Sequence, residues 1–120
     1  MMQITPHEQY QLVTFNWAEI NENSIENYKK QIKDALEVEP SLIVNVNTLE
    51  NLNENIQNIF SEINSQIQTA NGHLVFCEGS NEINKKIDEM GLVFIPSLDE
   101  AVDYIFMEQI EKMMGEEDEN

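Results

Sequence analysis

Apolar and polar positions follow two different periods along this chain, and the switches between them mark its elements. Met2 to Thr5 and Gln11-Leu-Val-Thr-Phe15, rich in β-formers and parted by Pro6, predict an opening hairpin. After Ser24, apolar groups at Ile25, Tyr28, Ile32, Ala35 and Leu36 recur at helical spacing, and Pro40 follows the end of that helix. Leu42-Ile-Val-Asn-Val46 is short and β-branched, as in a strand buried inside a sheet. From Asn53 the positions Ile56, Ile59, Phe60, Ile63, Ile67 and Ala70 form the clearest helical stripe, with Asn71-Gly72 as its stop. His73-Leu-Val-Phe-Cys77 predicts another strand, closed by Gly79. Ser80 then caps a short helix with Ile83, Ile87 and Met90 inward, which Gly91 ends. Leu92-Val-Phe-Ile95 is the last strand. Ser97-Leu-Asp-Glu100 has the capping-box form and opens a helix whose inner face is Leu98, Ala101, Val102, Ile105, Ile110 and Met113.

The resulting order is ββαβαβαβα, an α/β pattern that implies right-handed crossovers and a mixed, mostly parallel sheet of four to five strands packed with four helices. Helices on both faces, or chiefly on one, fit the pattern equally. A chain of 120 residues suffices for one domain with a real core, burying roughly two-thirds of its unfolded surface. We assign residues 1–114 to that domain and 115–120, Gly115-Glu-Glu-Asp-Glu-Asn120, to an acidic tail with nothing to bury, expected to be disordered.

Charge narrows the partners. Six lysines and no arginine stand against 23 Asp and Glu, a net charge of −17 with a pI near 4.1. Such a surface repels both a phosphate backbone and an anionic membrane, and without arginine it lacks the bidentate fork that grips phosphate. Nucleic acid and membrane are therefore excluded as partners. Hydrophobic content of 41% is that of an ordinary soluble domain. The lone Cys77 forms no internal disulfide, and the first residues carry neither a basic start nor a long apolar run, so a cytoplasmic location is the expectation.

Standard catalytic constellations fail on residue type or spacing. Gly72, Gly79, Gly91 and Gly115 form no phosphate loop. One cysteine and two histidines, His7 and His73, lack zinc-ligand spacing, so neither metal nor other cofactor is expected. His73 and Cys77 lie about 13 Å apart along one strand, which leaves His7 as the base for any thiol chemistry; Cys77 reads better as a small apolar residue at a strand end. A receiver domain needs clustered acids at strand ends, where this chain has Asn45 and Asn47. Trp17 reads as packing against a helix, with a binding surface as the other use of an aromatic there. Met107, Met113 and Met114 read as core filling and a frayed helix end, with a soft binding face as the other use.

The segment Leu42-Ile-Val-Asn-Val-Asn-Thr-Leu-Glu-Asn-Leu-Asn-Glu-Asn-Ile56 resembles the central stretch of STAS domains, the family of bacterial anti-sigma factor antagonists. His73 to Val102, with its Ser-x-x-Glu-Ala start to the last helix, is similar to that family's closing strand–helix–strand–helix. Phe15-Asn-Trp-Ala-Glu-Ile20 resembles its first hairpin end, with Ala18 where Gly is usual. The resemblance implies a non-catalytic domain that binds a protein partner, a serine-kinase-like anti-sigma factor or related regulator, in bacterial signalling or transcription regulation by partner switching. In the family a Ser or Thr at the start of the helix after the central strand is phosphorylated. Here Glu54 stands at that position, a degenerate phosphosite, with Asn53 and Asn55 on either side and Ile56 at the family's Gly. A fixed carboxylate there partly imitates the phosphorylated state, with about one charge instead of roughly two. The plainer role of Glu54 is to favour the helix dipole, behind Asn53 or Asn51 as N-cap. The expected partner-binding residues are Asn51, Asn53, Glu54, Asn55 and Asn58, and a homodimer is also allowed. The competing expectation is an enzyme or small-molecule binder with a pocket at the strand ends near Asn45, Asn47 and Cys77.

Overall fold

The computed structural model describes residues 2–118, with side chains through residue 112. Its elements are β1 (Gln3–Pro6), β2 (Gln11–Thr14), α1 (Ile25–Val38), β3 (Leu42–Asn45), α2 (Glu54–Thr69), β4 (Leu74–Cys77), α3 (Asn81–Glu89), β5 (Phe94–Ile95) and α4 (Leu98–Asp118), with a 3-10 turn at Trp17–Glu19. The strands form one sheet in chain order, β1-β2-β3-β4-β5. β1 pairs antiparallel with β2, and all later neighbours are parallel. The predicted order, the mixed sheet and the four helices are all present.

Sequential strand order settles which faces the helices take. Crossovers of one hand that step the same way across a sheet lay their helices on the same side. Accordingly Tyr28, Ile32 and Leu36 of α1, Ile56, Ile59, Phe60, Ile63 and Ile67 of α2, and Ile83 and Ile87 of α3 share one core with Val13, Phe15, Leu42, Val44, Leu74 and Phe76. The alternate strand positions Ile43, Val75 and Cys77 form a second core with Ala101 and Ile105 of α4. Among the described residues, three helices therefore cover one face and α4 alone covers the other. Both faces of β3 and β4 are buried, which is why their sequences are continuous apolar runs.

Several local expectations are corrected. In the Asn71-Gly72 stop after α2 it is Asn71 that takes the left-handed conformation (φ 61°), and after β4 Glu78 takes it (φ 69°), one residue before Gly79. The two glycines answer to crowding instead: a Cβ on Gly72 would lie 1.9 Å from the Pro40 carbonyl oxygen, and one on Gly79 would lie 2.9 Å from Val46 Cγ2. Ser24 precedes α1 without capping it; its Oγ donates to the Glu19 carbonyl at 2.9 Å. Ala70 is exposed at the C-cap of α2. On α4, Ile110 and Met107 are 51% and 58% exposed, so neither fills the core. The sheet offers α4 only a narrow strip, and the inward face is exhausted by Leu98, Ala101, Val102 and Ile105. The backbone of residues 115–118 continues α4, while the side chains of Met113, Met114 and the acidic 115–120 segment lie outside the described residues, as do residues 119 and 120 altogether.

Candidate functional site at the start of α2

The site lies where β2 and β3 end, on the loop that carries the chain from β3 into α2. Two buried side chains, Leu49 and Leu52, pin that loop to the core, and the Asn47 N–H donates to Asn45 Oδ1 at 2.9 Å. Asn53 has extended dihedrals, and its Oδ1 accepts from the Ile56 N–H at 3.0 Å, so Asn53 rather than Asn51 is the N-cap. Gln57 adds a second tie, its Nε2 donating to the Leu52 carbonyl at 2.8 Å. Two hydrogen bonds and two buried leucines thus hold rigidly the first turn of a sixteen-residue helix. Glu54 is its first residue and is exposed, where a carboxylate meets the positive end of the helix dipole.

All five sequence-predicted binding residues fall on one continuous surface. Glu54, Asn55 and Asn58, with Asn53, line a shallow hollow of about 570 Å³ whose far wall is Glu22, Ile25 and Glu26, around the start of α1. Asn51 and Asn53 line a second hollow of about 580 Å³ against Phe15, Trp17, Thr48, Leu49 and Glu50. Asn53 borders both. Sequence periodicity missed the partners contributed by other elements, above all the bond from Trp17 Nε1–H to Thr48 Oγ1 at 2.9 Å, which joins the hairpin end to the β3–α2 loop. The indole does pack on a helix, edge to face with Phe60 of α2 at 5.9 Å, while it also lines the second hollow. The single tryptophan was the signal that could have found it.

The thiol alternative is closed by geometry. Both histidines lie at the end of the sheet where the parallel strands begin, and Cys77 is the last residue of β4. His7 is stacked on Tyr10 at 4.6 Å in the hairpin turn. Cys77 has no exposed surface, and desolvation, with a smaller push from the Glu78 charge, raises its pKa from 9.0 to about 12. It is a neutral thiol under α4, not a nucleophile. No group of three or more His, Cys, Asp or Glu among the described residues could hold a metal ion.

No protein-family model matches the sequence, and no curated protein matches it. Solved structures do match. The NMR structure of the protein TM1081 aligns over 88% of this chain and 88% of its own, with a TM-score of 0.75 and 12% identity. SpoIIAA, an anti-sigma factor antagonist in its unphosphorylated form, aligns over 88% of this chain and 97% of its own, with a TM-score of 0.68 and 12% identity. The chain has the STAS fold. A serine-to-glutamate variant of RsbS from Moorella thermoacetica shares it too, over 87% of this chain and 93% of that one, with a TM-score of 0.71 and 16% identity. Identities this low carry the STAS fold and leave function to the site.

Proposed function

We propose that this chain is a non-catalytic interaction domain of the anti-sigma factor antagonist type, acting in bacterial signalling or transcription regulation by partner switching in the cytoplasm. Its binding surface is the β3–α2 turn and the first turns of α2, Asn51, Asn53, Glu54, Asn55 and Asn58. The observation that carries the reading is Glu54: a carboxylate, exposed and fixed at a capped helix start, where the resembled family places a phosphorylated serine. Glutamate cannot accept a phosphate from a serine kinase, so the domain works without that switch, in a constitutive state that partly imitates the phosphorylated one. The partner is a serine-kinase-like anti-sigma factor or a related regulator. Its contacting face is basic, because a chain of net charge −17 steers cationic surfaces to itself. No described helix is long and apolar enough to cross a membrane.

Affinity capture from native extract at low salt, with wild type and Glu54→Ser, tests the switch. Recovery of a serine-kinase-like protein by the serine variant, with phosphorylation of the new serine, is the expected outcome; recovery of no partner by either form would overturn the reading. A captured complex should weaken as salt rises and should be lost on charge reversal at Glu50 and Glu54. Binding indifferent to both would remove the proposed surface.

A further inference from the structure

We infer that the hollow beside Trp17 is the socket for an arginine side chain of the partner. The inference rests on the interaction-domain reading above and names the chemistry that the partner brings to it. Trp17 is held from three directions: its Nε1–H donates to Thr48 Oγ1 at 2.9 Å, and its ring lies 5.0 Å from Phe15 and 5.9 Å from Phe60. A half-buried aromatic fixed in this way loses little freedom on binding, which is what gives such groups their weight at interfaces.

The rim decides the guest. The hollow combines an apolar wall of Phe15, Trp17, Leu49 and Ile56 with a rim that includes Glu50 and Asn51, and no lysine lines it. Two other rim amides are already committed inward, Asn16 Oδ1 to the Ala18 N–H at 3.2 Å and Asn53 Oδ1 to the Ile56 N–H at 3.0 Å. Glu50 is exposed and forms no ion pair among the described residues. The charged acceptor that lines the hollow is therefore the Glu50 carboxylate, beside the Asn51 amide and against an aromatic wall. A guanidinium suits both: its plane stacks on indole and its edge presents N–H donors to a carboxylate. An anionic guest meets Glu50 directly, and a purely aliphatic one leaves that charge unanswered.

An NMR titration of the full chain at low salt, with acetyl-arginine amide and its neutral isostere acetyl-citrulline amide, tests the inference. The Trp17 indole and Asn51 side-chain signals should move saturably with the arginine probe and stay in place with citrulline. Glu50→Gln, at an exposed loop position outside both cores, should weaken the arginine response by about two- to fivefold. Equal movement with citrulline, or an unmoved Trp17 indole, overturns the inference. Partner capture distinguishes this result from the reading beneath it. A captured partner indifferent to Glu50→Gln removes the arginine socket and leaves the interaction domain standing, whereas an arginine response without any captured partner does the reverse.

Discussion

Gln11 begins β2, yet its side chain serves a helix. Its Nε2 donates to the carbonyls of Ala35 at 2.7 Å and Glu39 at 2.9 Å, closing the end of α1, which has no basic residue in its last turn. Gln11→Leu keeps the buried bulk but strips the Glu39 carbonyl of its donor and leaves the Ala35 carbonyl only the Glu39 N–H at 3.1 Å, so unfolding free energy should fall by about 1–3 kcal/mol in urea titration. Gly72 is fixed by crowding. A methyl group there would meet backbone, the Pro40 carbonyl oxygen, which cannot turn aside. Gly72→Ala should therefore cost at least about 2 kcal/mol in the same measurement, and a neutral result would contradict the close approach. For Cys77 the sign follows from its raised pKa. The unfolded chain ionises near 9.0 and the fold holds the proton to about 12, so the thiol's contribution is full below pH 9.0 and is lost as pH rises towards 12. The stability difference between wild type and Cys77→Ala should shift against wild type across that window; a constant difference would reject the assignment.

At the scale of elements, the caps can be tested singly. Asn53→Ala and Ser80→Ala each remove one side-chain acceptor, for the Ile56 N–H at 3.0 Å and the Ile83 N–H at 3.2 Å. Each should lower stability by about 1 kcal/mol, read from urea midpoints at unchanged slope. The Ser80 cap, the α2 stripe and the buried runs of β3 and β4 are legible in the sequence, because periodicity and capping act within a few neighbouring residues, whereas the α2 cap is narrowed there only to Asn53 or Asn51. Those signals stop at the ends of an element. The Asn71-Gly72 stop is legible, but the left-handed Glu78 beside Gly79 is not, and neither is the close packing that requires both glycines. Ile110 was placed inward because a period extends indefinitely, whereas the sheet beneath α4 does not. The same limit divides the site. Asn53 and Glu54 could be placed at the start of α2 from local pattern, but nothing local brings Glu22 and Glu26 opposite Glu54, or ties Trp17 to Thr48.

For the whole molecule, charge and layering set the behaviour. A net charge of −17 repels itself, and the exposed pairs Lys29–Glu26 at 3.4 Å and Lys86–Glu82 at 3.9 Å offset little of it. Raising salt until the screening length falls from about 30 Å to about 3 Å should raise the thermal midpoint, and a flat or falling midpoint would show that repulsion does not limit stability. The tie from Gln109 Nε2 to the Gln9 carbonyl at 3.1 Å joins α4 to the opening hairpin, 100 residues earlier in the chain. Since α4 by itself roofs Ile43, Val75 and Cys77, and is synthesised after every strand it covers, half of the sheet leaves the ribosome bare. The nascent chain must stay soluble with that greasy surface open until α4 arrives. A chain cut before Leu98 should stay caught at that stage, binding hydrophobic dye and aggregating where the full chain does neither.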